Sequence, residues 1–209
     1  MSVLEKISES LQKGDAKEVE ELVKKAINEN IPAVDILNEG LIRGMNVLGV
    51  KFKNNEVFIP EVLVAAQAMK AGVELIKPLL SESNVTSKGK FMIGTVKGDL
   101  HDIGKNLVII MMKGAGFDVV DLGVNVSKEK FIEAIVKENP DILGMSALLT
   151  TTMTYMKEVI DELQNRQLRD KIKVIVGGAP ITAEFAEEIG ADGYSPDAGS
   201  AVELVSSLI

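Results

Sequence analysis

The chain has 209 residues, enough for one large or two small domains, and its 46% apolar and 26% charged residues are typical of a globular protein. Its net charge of −8 disfavours a surface for nucleic acid or for an anionic membrane. Because the sequence contains no cysteine, it excludes disulfides, thiolate zinc sites, iron–sulfur clusters and cysteine nucleophiles. One histidine, His101, provides the only imidazole.

The N-terminal residues carry charge throughout, where the apolar core of a signal peptide would lie. No segment approaches the roughly 18 consecutive apolar residues of a membrane span. We therefore expect a cytoplasmic protein that binds neither membrane nor nucleic acid.

Residues 1–80 show helical periodicity alone, in four amphipathic segments. The second segment begins at Asp15, whose spacing to Glu18 predicts a capping box. The third begins near Pro32 and the fourth at Pro60, because proline suits the first helical turn. Four amphipathic helices with short connections predict a four-helix bundle.

After residue 80 the pattern changes through a polar stretch with the composition of a linker. We expect a helical domain at residues 1–82, a linker at 83–90 and a second domain at 91–209. In this second domain five β-rich runs alternate with five helical runs, which predicts an α/β fold with a five-stranded, doubly wound parallel sheet of the flavodoxin-like or Rossmann-like type.

The predicted strands lie at residues 91–96, 118–123, 141–147, 173–178 and 192–194. The helices between and after them are predicted to begin near Gly104, Ser127, Thr152, Thr182 and Asp197. Right-handed crossovers place the strand-to-helix loops at the carboxyl edge of the sheet, where such folds bind ligands.

The loop after the first predicted strand holds His101 between two carboxylates, Asp99 and Asp102. Asp99 can accept a hydrogen bond from one ring nitrogen, which leaves the other nitrogen as a base or a metal ligand. A surface histidine with acidic neighbours by chance is the alternative. The glycine-bounded loop at the ligand edge favours the first interpretation.

Two further loops are rich in small residues. Ser146 and the run of threonines at 150–152 offer hydroxyls that could cap the next helix or bind a polar group of a ligand. Gly177 and Gly178 form either a tight turn or a surface that a bulky group approaches closely.

The sequence lacks the motifs of several common functions. There is no G-x-G-x-x-G after a strand and no G-x-x-x-x-G-K-[ST], which disfavours dehydrogenases and P-loop NTPases. One histidine is too few for most catalytic zinc sites. A phospho-receiver domain has the same architecture, but we expect it to carry an acidic cluster at its first strand end without this histidine loop.

Three motifs match, in order and spacing, the D-x-H-x-x-G, S-x-L and G-G set of cobalamin-binding domains. They are Gly98-Asp-Leu-His-Asp-Ile-Gly104, Gly144-Met-Ser-Ala-Leu148 and Val176-Gly-Gly178. The helical half is similar to the cap that covers the corrinoid, from Glu39-Gly-Leu through Gly49-Val-Lys-Phe52 and Phe58-Ile-Pro60 to Met69. The chain thus resembles corrinoid methyl-carrier proteins of methyltransferase systems and the cobalamin-binding module of cobalamin-dependent methionine synthase, over nearly its whole length.

This resemblance implies a role for each residue of the histidine loop. His101 would displace the corrinoid's own base and bind cobalt, and Asp99 would accept a hydrogen bond from the other ring nitrogen. Thr152 would complete the relay at a position where the methionine synthase module has serine, and threonine still supplies a hydroxyl.

The resemblance also assigns residues that surround the cofactor. Those of the histidine loop are Gly98, Leu100, Asp102 and Gly104, and those lining the slot for the nucleotide tail are Ser146, Leu148, Thr150, Gly177, Gly178 and Ala198. Above the ring, Phe52 and Ile59 would shelter the methyl group, with Glu39 as a weaker candidate. Packing in the bundle core is the alternative for Phe52 and Ile59.

The function implied is that of a carrier subunit, not catalytic alone, which holds cobalamin or a related corrinoid as its methylcobalamin and Co(I) forms. Its expected partners are a substrate:corrinoid methyltransferase for methanol, methylamines or aromatic methyl ethers, a second methyltransferase to tetrahydrofolate or coenzyme M, and a reductive activase. The chain leaves no room for a substrate-activating barrel. The alternatives are a cobalamin-dependent sensor or regulator, disfavoured because residues 1–80 lack a basic recognition helix, and an adenosylcobalamin mutase subunit, disfavoured by the cap.

Overall fold

The computed structural model describes residues 1–80 and 87–209. The chain divides into two units, one of Met1–Ser87 with Gly114–Gly116 and one of Lys88–Lys113 with Phe117–Ile209. Half of the predicted linker, residues 83–86, lies outside the described residues. The division into 1–82, 83–90 and 91–209 therefore stays a prediction.

The first unit is helical, as its periodicity predicts. Its elements are α1 (Val3–Gln12), α2 (Ala16–Asn28), α3 (Ala33–Asp35), a π-helical segment (Ile36–Ile42), α4 (Arg43–Lys53) and α5 (Ile59–Leu80). The third predicted helix begins after Pro32, as expected, but it runs through seven π-helical residues before α4. Helix α2 packs on α5, and α1 packs on α2, α4 and the π-helical segment.

The predicted capping box of α2 is only half formed. The Asp15 side chain accepts a hydrogen bond from the Glu18 backbone N–H at 2.9 Å, as expected. The Glu18 carboxylate does not return this bond, because it accepts instead from the Ser10 hydroxyl at 2.8 Å. A tertiary contact between α1 and α2 therefore replaces the second bond of the box.

The second unit is the predicted α/β domain. Its strands are β1 (Lys90–Thr95), β2 (Asp118–Asp121), β3 (Ile142–Ser146), β4 (Lys173–Gly177) and β5 (Gly193–Ser195). All pairs are parallel and the order is β2-β1-β3-β4-β5. This is the flavodoxin-like order, in which ligands bind at the carboxyl edge where the order reverses, between β1 and β3. The predicted fold class is confirmed.

Helices α6 (Ile103–Gly114), α7 (Lys128–Glu138), α8 (Thr150–Met153), α9 (Tyr155–Asn165), α10 (Ala183–Ile189) and α11 (Ala198–Leu208) flank the sheet. The side chains of Ser127, Thr182 and Asp197 cap α7, α10 and α11 at the predicted starts. The helix predicted from Thr152 begins two residues earlier and divides at Thr154 into α8 and α9. No helix of the described ranges is long and apolar enough to cross a membrane.

Asp192 ties the start of β5 to β4. Its carboxylate accepts hydrogen bonds from Arg169 Nη2 and from the Val174 N–H, both at 2.7 Å. Although burial opposes ionisation, these bonds hold the pKa of Asp192 below its usual range. Since the folded-state pKa lies below the unfolded value, the stabilisation is complete at neutral pH and is lost as pH falls through the folded-state pKa.

We therefore expect Asp192→Asn to lower the free energy of unfolding by about 1–3 kcal/mol at neutral pH, with a difference that shrinks in acid. The only tyrosines, Tyr155 and Tyr194, lie in the second unit and there is no tryptophan, so tyrosine fluorescence during urea unfolding reports on this unit. Asp161→Asn, which removes a half-exposed ion pair of α9, is the control. Equal losses in both variants would contradict the prediction.

Candidate functional site

The loop between β1 and α6 lies at the carboxyl edge of the sheet. It begins after Thr95, the last residue of β1, which is fully buried. The Thr95 hydroxyl donates to the carbonyl oxygen of His101 at 3.0 Å. Gly98 turns the chain with a φ of +83°, a conformation that glycine adopts without strain. The strand end therefore fixes the backbone of the only histidine.

Asp99 is fully buried at the centre of this loop and accepts hydrogen bonds on both carboxylate oxygens. Oδ1 accepts from the His101 backbone N–H at 3.0 Å and lies 2.7 Å from the His101 ring nitrogen Nδ1. Oδ2 accepts from the N–H groups of Leu148 at 2.7 Å and Leu149 at 3.3 Å, and from the Thr152 hydroxyl at 2.8 Å. Asp99 thus joins the loops that follow β1 and β3.

The charge of Asp99 determines which ring nitrogen of His101 donates a hydrogen bond to it. Burial raises the pKa of this carboxyl, but hydrogen bonds from the backbone of His101 and Leu148, the His101 ring and Thr152 outweigh burial and hold the pKa well below its usual range. An ionised carboxylate only accepts, so Nδ1 carries the proton that it donates to Asp99. In the neutral imidazole the other ring nitrogen, Nε2, then carries the lone pair. Among the described residues none hydrogen-bonds to Nε2, and 51% of the side chain is exposed.

The hydroxyl of Thr152 holds Asp99 and does not cap a helix. Helix α8 has Leu149 at its N-cap position and no side-chain cap, so the threonines at 150–152 do not have the capping role that their position allowed. The hydroxyl also lies 3.0 Å from the Leu149 carbonyl oxygen. Because it has one proton, we assign that proton to the ionised Asp99.

Asp102 has a different role from Asp99. Its carboxylate accepts from the Asn106 side-chain amide at 3.0 Å, and its carbonyl accepts from the Asn106 N–H at 2.7 Å, so Asp102 stabilises the start of α6. Within the described ranges, the His101 ring hydrogen-bonds to Asp99 and not to Asp102. Large apolar side chains on the loops around His101 are exposed to water. They are Leu100 (70%), Ile103 (75%), Leu148 (43%) and Leu149 (41%). Such a patch is typical of a binding surface for an apolar group.

The other assigned residues follow the ends of the neighbouring strands. Ser146 of β3 pairs with Gly177 of β4, and Ala198 is buried at the start of α11. Gly178 has a φ of +134°, and an added Cβ would overlap the carbonyl oxygen of Ala147. Thr150 is exposed at the first turn of α8, and Gly104 is exposed at the start of α6. The structure thus brings this set to one edge of the sheet.

The contact at Gly178 predicts a large effect of a small substitution. We expect Gly178→Ala to lower the free energy of unfolding of the second unit by about 2–4 kcal/mol, because the Ala147 backbone must move. Gly190→Ala is the control, since Gly190 also has a positive φ, +79°, but its Cβ would meet open space. That control should lose about 1 kcal/mol. Urea unfolding followed by tyrosine fluorescence compares them, and equal losses would contradict the steric explanation.

The cap residues lie in the first unit. Phe52 is half-buried near the end of α4, and Ile59, the first residue of α5, exposes 42% of its surface. Neither is fully buried in the bundle. Glu39 is exposed in the π-helical segment, 4.0 Å from Arg43. The roles of these three residues stay predictions.

The sequence did not predict three polar residues that lie at this edge, Thr95, Asn125 and Lys105. The Asn125 side chain accepts from the Gly98 N–H at 2.8 Å. Lys105 is buried in the first turn of α6, with its amine 2.8 Å from Asp121 at the end of β2. Their positions in the sequence were the available signal. Thr95 ends a buried strand, Asn125 follows the end of β2, and Lys105 directly follows Gly104.

Comparison with known proteins identifies the family. Two family models, both described as the B12 binding domain, match residues 89–203 and 3–77. The chain is 42% identical to a corrinoid protein of Desulfitobacterium hafniense over 100% of this chain and 98% of that protein. It is 46% identical to the dimethylamine corrinoid protein of Methanosarcina barkeri over 90% of this chain and 88% of that protein. The chain belongs to the corrinoid proteins.

A solved structure extends this similarity. This corrinoid protein matches a chain in the crystal structure of the methanol:cobalamin methyltransferase complex of Methanosarcina barkeri with a TM-score of 0.86 and 31% identity, over 99% of this chain and 79% of that chain. Its cofactor is cobalamin or a related corrinoid.

The residues present fit this cofactor. Within residues 1–80 and 87–209, no group of three His, Asp or Glu side chains could hold a bare metal ion. A corrin ring supplies four nitrogen ligands to its cobalt, so a single imidazole nitrogen suffices as the protein ligand. Nε2 of His101 can be that ligand. The exposed apolar side chains around it suit an apolar ring, and the small residues at the ends of β3 and β4 leave room for a bulky group.

Proposed function

We propose that this corrinoid protein carries a methyl group between two methyltransferases. One partner would take the methyl group from a small methylated substrate, and the second would pass it to an acceptor such as tetrahydrofolate or coenzyme M. The bound corrinoid supplies a cobalt atom that accepts and donates methyl groups. The observation that carries the proposal is the Asp99–His101 pair, which presents at the ligand edge of the sheet an imidazole nitrogen with no hydrogen bond from the described residues.

Each residue of the site has a defined part in this proposal. His101 would bind cobalt through Nε2, while Asp99 fixes the ring orientation and keeps the proton on Nδ1. Thr152 and the Leu148 N–H hold the carboxylate in place. We further propose that Gly98, Leu100, Asp102 and Gly104 contact the cofactor around His101, and that Ser146, Leu148, Thr150, Gly177, Gly178 and Ala198 line the slot for its nucleotide tail. Phe52, Ile59 and Glu39 would shelter the reacting face.

A methylated amine is the substrate class that we favour. A relative at 46% identity is a dimethylamine corrinoid protein, whereas the structure from the methanol system is 31% identical. We propose that the first partner is an amine:corrinoid methyltransferase, with methanol as the second candidate substrate. A reductive activase would restore the cofactor after oxidation.

The experiment tests transfer directly. The chain is loaded with hydroxocobalamin, reduced chemically, and incubated with a dimethylamine methyltransferase and dimethylamine carrying a ¹³C-methyl label. We expect labelled methyl on the corrinoid extracted from wild type and much less on that from His101→Ala. Parallel reactions use mono- and trimethylamine and methanol with their own methyltransferases. Absence of label from a cofactor-loaded chain with every donor would contradict the carrier function.

A further inference from the structure

Asn125, in the loop between β2 and α7, contacts the histidine loop with both its side chain and its backbone. The Asn125 side-chain oxygen accepts from the Gly98 N–H at 2.8 Å. The Asn125 backbone N–H donates to the carbonyl oxygen of Asp99 at 3.0 Å. One residue thus binds polar backbone groups of two successive residues, Gly98 and Asp99, and Asp99 lies two positions before His101.

Asn125 is itself held in place by the sheet. The loop around it bonds to the last residue of β1, since the Thr95 N–H donates to the Gly123 carbonyl and the Val126 N–H donates to the Thr95 carbonyl, both at 3.0 Å. Val126 also forms a parallel bridge with Val96. Asn125 has a φ of +52°, the left-handed conformation that asparagine tolerates better than most residues.

Asp99 is held by hydrogen bonds from two sides. Its side chain is held by Thr152 and Leu148 from the β3 side, while its backbone carbonyl is held by Asn125 from the β2 side. Asp99 in turn holds the ring and the backbone N–H of His101. A displacement of the Gly98–Asp99 turn would therefore move the imidazole.

We propose that Asn125 is a positioning residue, which sets the orientation of the Asp99–His101 pair toward the corrinoid. The inference rests on the proposed role of His101 as the cobalt ligand. It adds the loop after β2 to a site otherwise assigned to the loops after β1, β3, β4 and β5.

Three variants separate the side chain from the backbone conformation. Asn125→Gly keeps the positive φ but removes the acceptor for the Gly98 N–H. Asn125→Asp keeps both the positive φ and a side-chain acceptor. Asn139→Gly is the matched control, because Asn139 is also exposed with a positive φ, +47°, but lies beyond α7 before β3. We expect Asn125→Gly to raise the Kd for hydroxocobalamin about fivefold and to reduce its histidine-dependent absorbance. Asn125→Asp and Asn139→Gly should remain near wild type.

The cofactor-free protein provides a second readout. Amide hydrogen exchange followed by NMR should show faster exchange at Gly98 in Asn125→Gly than in wild type or Asn125→Asp. If wild type shows no histidine-dependent spectrum, the proposed function fails, whatever happens at position 125. If wild type shows that spectrum and Asn125→Gly matches it in Kd and absorbance, the positioning role is overturned. Equal losses in Asn125→Gly and Asn139→Gly would overturn it as well.

Discussion

The His101→Ala variant is expected to bind hydroxocobalamin about 10–100 times more weakly than wild type and to lose the histidine-dependent bands of its visible spectrum. His101 is the only imidazole in the chain, and no described residue hydrogen-bonds to its Nε2. No neighbouring side chain can replace it as an imidazole ligand. Absorbance titration followed by gel filtration measures both effects.

The same variant should fold normally. The His101 side chain is 51% exposed, and Asp99 keeps its bonds from the His101 backbone, Leu148 and Thr152 when the ring is removed. Urea unfolding of the cofactor-free protein should therefore resemble that of wild type. A folded His101→Ala protein with unchanged affinity and spectrum would contradict the ligand role.

Asp99→Asn should affect both stability and cofactor binding. Both oxygens of Asp99 only accept hydrogen bonds, so an amide at this fully buried position places an N–H₂ group against the donors around it. We expect a loss of about 2–4 kcal/mol in the free energy of unfolding and about a 10–100-fold weaker binding of hydroxocobalamin. Tyrosine-detected urea unfolding and absorbance titration measure the two losses.

The comparison with His101→Ala separates the two roles of Asp99. Asp118→Asn, at an exposed position that begins β2, is the control for the loss of a carboxylate and should change neither quantity. If Asp99→Asn is as stable as this control, the carboxylate does not join the β1 and β3 loops as its geometry indicates. If it is destabilised but binds the cofactor with normal affinity, its support of His101 is contradicted.

The sequence predicted the fold because its local signals agree. The central strands β1, β3 and β4 are mainly apolar and buried, and Ser127, Thr182 and Asp197 each cap the helix that they were expected to start. The site followed from the same order, since the loops after parallel strands meet at one edge. Asp99 lies only two positions before His101, so their spacing was enough to predict the hydrogen bond between them.

Other features depend on distances that no local pattern encodes. The Glu18 carboxylate turns to Ser10 because α1 packs against α2, which sequence spacing does not reveal. Asn125 contacts Gly98 across 27 residues, and the bond between Leu148 and Asp99 spans 49. The π-helical segment likewise occurs in a stretch whose apolar spacing predicts an ordinary helix.

His101 is the proposed protein ligand of the corrinoid cobalt. Because the chain has one histidine, growth on ¹⁵N-histidine labels a single imidazole. Electron paramagnetic resonance of the reduced, Co(II)-loaded protein then reports the axial nitrogen through its nuclear spin. We predict that the triplet splitting of the unlabelled protein becomes a doublet in the labelled one. A triplet that persists after labelling would show that the corrinoid keeps its own base, and would contradict the assignment of His101.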